Sequence, residues 1–178
     1  MSEGVGGDPA SCSRLGGMLR SESARLVRQR ERVGAPVAVL SRHAASGEAV
    51  RRIEREVRLL ESTADLLDLA GAALQRYAQE LAEVSESARA LRAEAARRGL
   101  EVAGWRVVEP WGVSSAERAS CRQSAIPALQ ARADRLATQL GRARAALART
   151  LTECTGALER SASTSRDARG RGADSLGP

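Results

Sequence analysis

The residues able to carry chemistry are few and far apart. One histidine, His43, and three cysteines, Cys12, Cys121 and Cys154, are the nucleophile and ligand candidates of the 178-residue chain. The cysteines are odd in number and widely separated, so neither a disulfide framework nor a metal-ligand cluster can be drawn from them. A single histidine cannot support the usual acid–base arrangements, and no Gly-x-Ser-x-Gly, phosphate-cradling loop or His-Glu-x-x-His is present. Carboxylates such as Glu54 and Glu61 fall on the polar side of a helical pattern, where charge is solvated. These residue types predict no catalytic residue, no metal site and no cofactor.

Two other groups have the chemistry of recognition. The segment 99–113, GLEVAGWRVVEPWGV, holds both tryptophans of the chain. Trp105, Val107, Val108 and Trp111 are the candidate contact residues there, because tryptophan is enriched at binding hot spots. The same rings could instead fold back and cap a core that is short of aromatic residues. The second group is Arg51, Arg52, Arg55 and Arg58, interleaved with Glu48, Glu54 and Glu56. It reads as a solvated helix face, or alternatively as a surface for phosphates of nucleic acid or acidic lipid.

The elements that must position these groups are helical. Phe is absent, and one Tyr and two Trp leave Leu, Val and Ala to build the core. Such small side chains suit closely approaching helices and argue against a sheet. All 28 basic residues are Arg, a bias attributed to base composition and not to arginine chemistry. From Gly47 to Arg98 the apolar residues Val50, Ile53, Val57, Leu60, Ala64, Leu67, Gly71, Leu74, Ala78, Leu81, Ser85 and Ala88 alternate by three and four, the spacing of a coiled-coil seam. One helix of about 52 residues, roughly 78 Å long, is expected there.

A first helix is expected from Pro9 to about Val33, with Asp8 as its N-cap. Gly34, Pro36 and Ser46-Gly47 mark a turn region, and residues 1–8 a flexible N-terminus. After the connector, Ser114 and Glu117 have capping-box spacing and open a last helix to about Arg160. Pro127 should kink or split it. Residues 161–178 turn to Ser, Arg, Gly and Asp and are expected to be disordered.

Length and stripe width assemble these pieces. Leu59-Leu60, Leu66-Leu67, Leu69-Ala70 and Ala73-Leu74 double the apolar stripe where the short first helix must lie, and the stripe thins beyond Ala78. The fold class predicted is all-α: an elongated antiparallel helical hairpin, with the N-terminal helix making a three-helix bundle at one end and the tryptophan connector at the tip. Residues 9–160 form one domain. With six Arg against two acids in 9–33, eight against four in 114–160 and nine against ten in 47–98, two basic helices would pack on a nearly neutral one. No basic leader, apolar run or membrane-length segment is present, so a cytoplasmic protein is expected, or one exported by a route independent of a signal peptide.

A chain of this kind, and the segment GEAVRRIEREVRLLESTADLLDLAGAALQRYAQELAE in particular, resembles the helical-hairpin proteins of the WXG/ESX type exported by type VII secretion in actinobacteria. The likeness covers residues 9 to about 90, with the connector and last helix resembling extended versions of the hairpin. Trp-x-Gly is absent, since Trp111-Gly112 are adjacent, and Tyr77 is followed by Leu81 where the family's export signal has an acid. The resemblance implies a non-enzymatic secretion substrate or accessory partner that pairs through its helices, as a homodimer or heterodimer. The alternative is a basic coiled-coil protein that binds nucleic acid through phosphates.

Overall fold

Helix initiation follows the local chemistry of the N-terminus. Asp8 accepts hydrogen bonds from the backbone N–H groups of Ala10 (3.1 Å) and Ser11 (3.0 Å), while its own carbonyl accepts from Cys12 N–H. These satisfy donors that the first turn would otherwise leave open. In the computed structural model, residues 7–40, 47–110 and 116–173 are described, with side chains for 7–34, 47–110 and 119–166. Three helices, α1 (Pro9–Leu40), α2 (Gly47–Arg97) and α3 (Ala116–Ala173), form an all-α bundle with a long central helix and a shorter first one. Between α2 and α3 stands a small antiparallel hairpin, β1 (Glu101–Ala103) and β2 (Arg106–Val108).

The chain divides into two compact units, Met1–Ser13 with Arg76–Leu147 and Arg14–Gln75 with Ala148–Pro178. In the first, α2 supplies Tyr77, Leu81, Val84, Ala88, Leu91 and Ala95, and α3 supplies Ala125, Leu129, Ala133, Leu136, Leu140 and Ala143. Each set is a three-four repeat, and alanines alternating with leucines let the two backbones come close. Val84 enters this core where the seam had been expected to pass through Ser85. The Ser85 hydroxyl instead donates to the Leu81 carbonyl of its own helix (2.6 Å). An ion pair between Arg132 and Glu94 (2.9 Å) joins the helices at the surface, and Glu94 also takes Arg98 (3.0 Å).

In the second unit, α1 and α2 meet at two glycines. A Cβ on Gly16 would lie 2.7 Å from the Gly71 carbonyl oxygen, and one on Gly71 would lie 2.7 Å from that of Gly16. Around this contact Arg20 pairs with Asp68 (2.9 Å) and Arg30 with Glu61 (3.4 Å), and the buried Ser23 hydroxyl donates to the Ala64 carbonyl (2.7 Å). These links set the antiparallel register of the pair. The C-terminal part of α3 brings in Cys154, buried, flanked by the half-buried Leu151 and Leu158. Burial raises the Cys154 thiol pKa, and the neighbouring Glu153 carboxylate raises it further.

Four expectations need correction. Helix α1 does not stop near Val33 but continues through Gly34 and Pro36 to Leu40. A helix already propagating gains a bond with each further residue and can carry the loss at a single proline. Helix α3 is not split at Pro127, which is exposed, so the Gln123 carbonyl it leaves without a helical donor lies on a wet face. Residues 161–173 are helical instead of disordered. The hydroxyls of Ser163, Thr164 and Ser165 donate to carbonyls four residues back (each 3.0 Å), keeping the polar side chains within the helix. The connector, finally, contains the two strands. The N-terminal residues 1–6, His43, the Ser114 cap and residues 174–178 lie outside the described residues.

The glycine contact makes opposite predictions for two chemically identical changes. Gly71→Ala should lose about 1–3 kcal/mol in denaturant unfolding, because the new methyl group meets backbone. Gly141→Ala, with nothing within 4 Å of its Cβ position, should gain up to about 1 kcal/mol from helix propensity.

The thiol gives a pH signature. A pKa raised in the folded state means that the native chain holds its proton while the unfolded chain releases it, so this contribution to stability is full below about pH 9 and declines above it. Cys154→Ala should flatten that alkaline decline in a pH series of unfolding curves. Alkylation of the native protein should label the exposed Cys121 before Cys154.

Candidate functional site

The connector is built from its turn outward. Helix α2 ends at Gly99 with φ +69°, where Leu100 N–H donates to the Ala95 carbonyl and Gly99 N–H to that of Ala96 (both 2.9 Å). This paired arrangement closes the helix, and it needs a left-handed residue that glycine supplies without strain. Leu100, 2 % exposed, then turns back onto the core. Two residues on, Val102 pairs with Val107 and Ala103 with Arg106, leaving Gly104-Trp105 as a two-residue loop. Gly104 has φ +62°, as the first central position of a primed hairpin turn requires.

A two-stranded hairpin of this length is not stable alone, so α3 must hold it. Val102 and Val107 form the pair next to the one that closes the turn, and in that position their backbone groups face outward. Gln130 of α3 meets the outer edge of β2. Its Oε1 accepts from Val107 N–H (2.8 Å), and its Nε2 donates to the Trp105 carbonyl (3.0 Å) and to Asp134 Oδ1 (2.8 Å). One side-chain amide thus stands in for a neighbouring strand. Val102 and Trp105 pack from above onto the Leu/Ala core, and Arg122 lies 3.9 Å from Glu109.

The four candidate contact residues are thereby separated. Val107 is 8 % exposed and belongs to the core. Trp105 and Val108 are half-buried, and Trp105 packs against the core. Trp111 lies outside the described residues. Glu101, Ala103, Gly104, Arg106, Glu109 and Pro110 are exposed, so the hairpin presents a small mixed surface to which Trp105 and Val108 contribute in part. Gln130 was not singled out from the sequence. The signal that could have led to it is Glu-Val-Ala-Gly-Trp-Arg-Val-Val itself, alternating residues around a glycine-led turn, which demands a partner for its free edge.

Other surfaces offer less. An open groove of about 560 Å³ between α2 and α3 is lined by Glu80, Asp134, Arg135, Thr138, Gln139 and Arg142, two cations against two carboxylates with no net charge to select a ligand. Leu15, Met18, Val27 and Leu69 are the large apolar side chains most exposed among the described residues. Those residues contain no group of three or more His, Cys, Asp or Glu that could hold a metal ion, and no helix long and apolar enough to cross a membrane. No protein-family model, curated protein or solved structure matches the chain.

Replacing Gln130 isolates what the clamp does. Gln130→Ala leaves Val107 N–H without its acceptor and should cost about 1–3 kcal/mol, seen first as faster amide exchange at Val107 with helix content unchanged. Gln130→Glu can still accept that bond but cannot donate to Trp105, and it sets a second carboxylate against Asp134. It should therefore rank between the wild type and Gln130→Ala at acidic pH and fall toward the alanine variant at neutral pH.

Proposed function

We propose that this is a non-enzymatic helical interaction protein that contacts a protein partner through the hairpin between α2 and α3, with Trp105 and Val108 at the centre of the contact. The observation that carries this reading is the Gln130 clamp. It fixes a short strand pair on the helical core while leaving those two residues half-buried and not fully enclosed. Such an element is ordered before a partner arrives, so less conformational entropy is lost on binding. Tryptophan with a neighbouring valine supplies the apolar centre, and Arg106, Glu101 and Glu109 supply a polar rim. Val107 contributes by holding the hairpin down.

The finer reading is a substrate or accessory partner of a type VII-like secretion system in an actinobacterium. What supports it is the α1/α2 pair, antiparallel and joined by a short connection, to which the resembling segment contributes its central helix. Protein released to the medium by an actinobacterial host, and lost on deletion of the secretion ATPase, is the expected result. Equal amounts in the medium with and without that ATPase would remove the secretion role. For the contact itself, a photo-crosslinker placed at Val108 should yield one discrete adduct in the producing cell, abolished by Trp105→Ala in a protein that keeps its helix content. An adduct indifferent to Trp105 would show that the ring serves only the core.

A further inference from the structure

The start of α2 carries a feature that the hairpin does not use. Arg51, Arg52, Arg55 and Arg58 are all exposed. Arg51, Arg55 and Arg58 are spaced i, i+4, i+7 and so share one face along about 10 Å of helix, with Arg52 on its shoulder. Like charges at such spacing oppose helix formation.

Three arginines of the same unit are matched, Arg20 by Asp68, Arg30 by Glu61 and Arg25 by Glu22, whereas Arg14, Arg28, Arg32, Arg149 and Arg160 stand singly without an ion pair to a described residue. What distinguishes Arg51, Arg52, Arg55 and Arg58 is that four lie within eight residues, and none of the four forms an ion pair with a described residue. Glu48 and Glu54 precede Arg52 and Arg58 by four residues, the favourable orientation, yet neither pair closes, whereas Glu94 and Arg98 at the same spacing do. The repulsion is thus left standing on an open face. An anion would relieve it.

The kind of anion follows from what surrounds the stripe. The apolar residues of this stretch, Val50, Ile53, Val57 and Leu60, are half-buried and lie off the arginine face, and none of the large exposed apolar side chains falls between 47 and 60. A membrane surface would want an apolar anchor beside the charge, and a protein hot spot a buried apolar centre. Neither is present. No aromatic residue stands in the run to stack on an unpaired base. What remains is a row of four planar guanidinium forks, interleaved with the exposed carboxylates of Glu48, Glu54 and Glu56 and still in excess of them, each fork able to take a phosphate with two hydrogen bonds.

We propose that Arg51, Arg52, Arg55 and Arg58 form a docking surface for the phosphate backbone of duplex nucleic acid, bound without regard to sequence. This inference is independent of the hairpin, and either can fail without the other. It is tested with the full chain and a labelled random-sequence DNA duplex by fluorescence anisotropy. Three to four phosphate contacts predict that affinity falls about a hundredfold between about 50 and about 200 mM salt.

The fourfold variant Arg51→Gln, Arg52→Gln, Arg55→Gln, Arg58→Gln should bind at least about tenfold more weakly with a flatter salt dependence. A control with Arg76, Arg89, Arg92 and Arg97 changed to Gln removes the same charge from the other unit and should stay close to the wild type. Circular dichroism confirms that both variants keep their helices. Equal losses in the two variants would overturn the proposal in favour of net charge alone. So would an undiminished affinity in the first variant, or binding to phosphatidylglycerol vesicles, or to an acidic polypeptide, with none to the duplex.

Discussion

Everything in this molecule depends on how closely helices can approach when the core has almost no large side chains. Without Phe, and with a single Tyr, the interior is Leu, Val and Ala, whose burial returns little unless the packing is tight. In the first unit the alternation of Ala88, Ala95, Ala133 and Ala143 with Leu81, Leu91, Leu129 and Leu140 meets that requirement. In the second the same end is reached through Gly16 and Gly71, where helix backbones come as near as carbonyl oxygens allow. Close approach leaves little room for slip, and on α1 Arg20 meets Asp68 and Gln75, Ser23 meets Ala64 and Arg30 meets Glu61, in consistent antiparallel order along α2.

Tight helix packing also explains why the connector is ordered. The Ala95–Leu100 closure turns the chain sharply onto the core, and from there six residues reach the turn and return. Two strands of three residues could not persist in water. They persist because Val102, Trp105 and Val107 finish the apolar core at its end and because Gln130 accepts from the Val107 N–H of β2 and donates to the Trp105 carbonyl of the turn. The ring area missing from the helices is thus supplied by the connector. The cost is that the hairpin's apolar residues are divided between core and surface, Val107 buried and Trp105 and Val108 half-buried.

Charge is organised differently in different places. Where helices meet, arginines are matched to carboxylates across the interface, and exposed pairs of this kind fix register more than they add stability. At the start of α2, Arg51, Arg52, Arg55 and Arg58 are exposed and form no ion pair with a described residue. The same residue type therefore serves the fold in one region and is available for recognition in another. Composition alone cannot tell the two apart, because +6 overall is compatible with either.

The sequence by itself determined the elements that depend on short-range periodicity and end chemistry: three helices, the Asp8 cap, the Gly99 stop and the seam through Leu74, Leu81, Ala88 and Leu91. It was misleading wherever a local penalty had to be weighed against a propagating helix. Pro36 and the Ser-rich segment after Arg160 read as breaks and Pro127 as a kink or split, yet the helix continues through each, and in the Ser-rich segment hydroxyls donate back to their own helix. Only the tertiary structure decided that Gly71 faces Gly16, that Glu94 takes Arg132 while Glu48 and Glu54 leave their arginines unmatched, and that Gln130 holds the hairpin. These are pairings between residues distant in sequence. Neither partner carries a mark of the other until backbones are placed within hydrogen-bonding distance, so periodicity can announce a helix face but not what that face will meet.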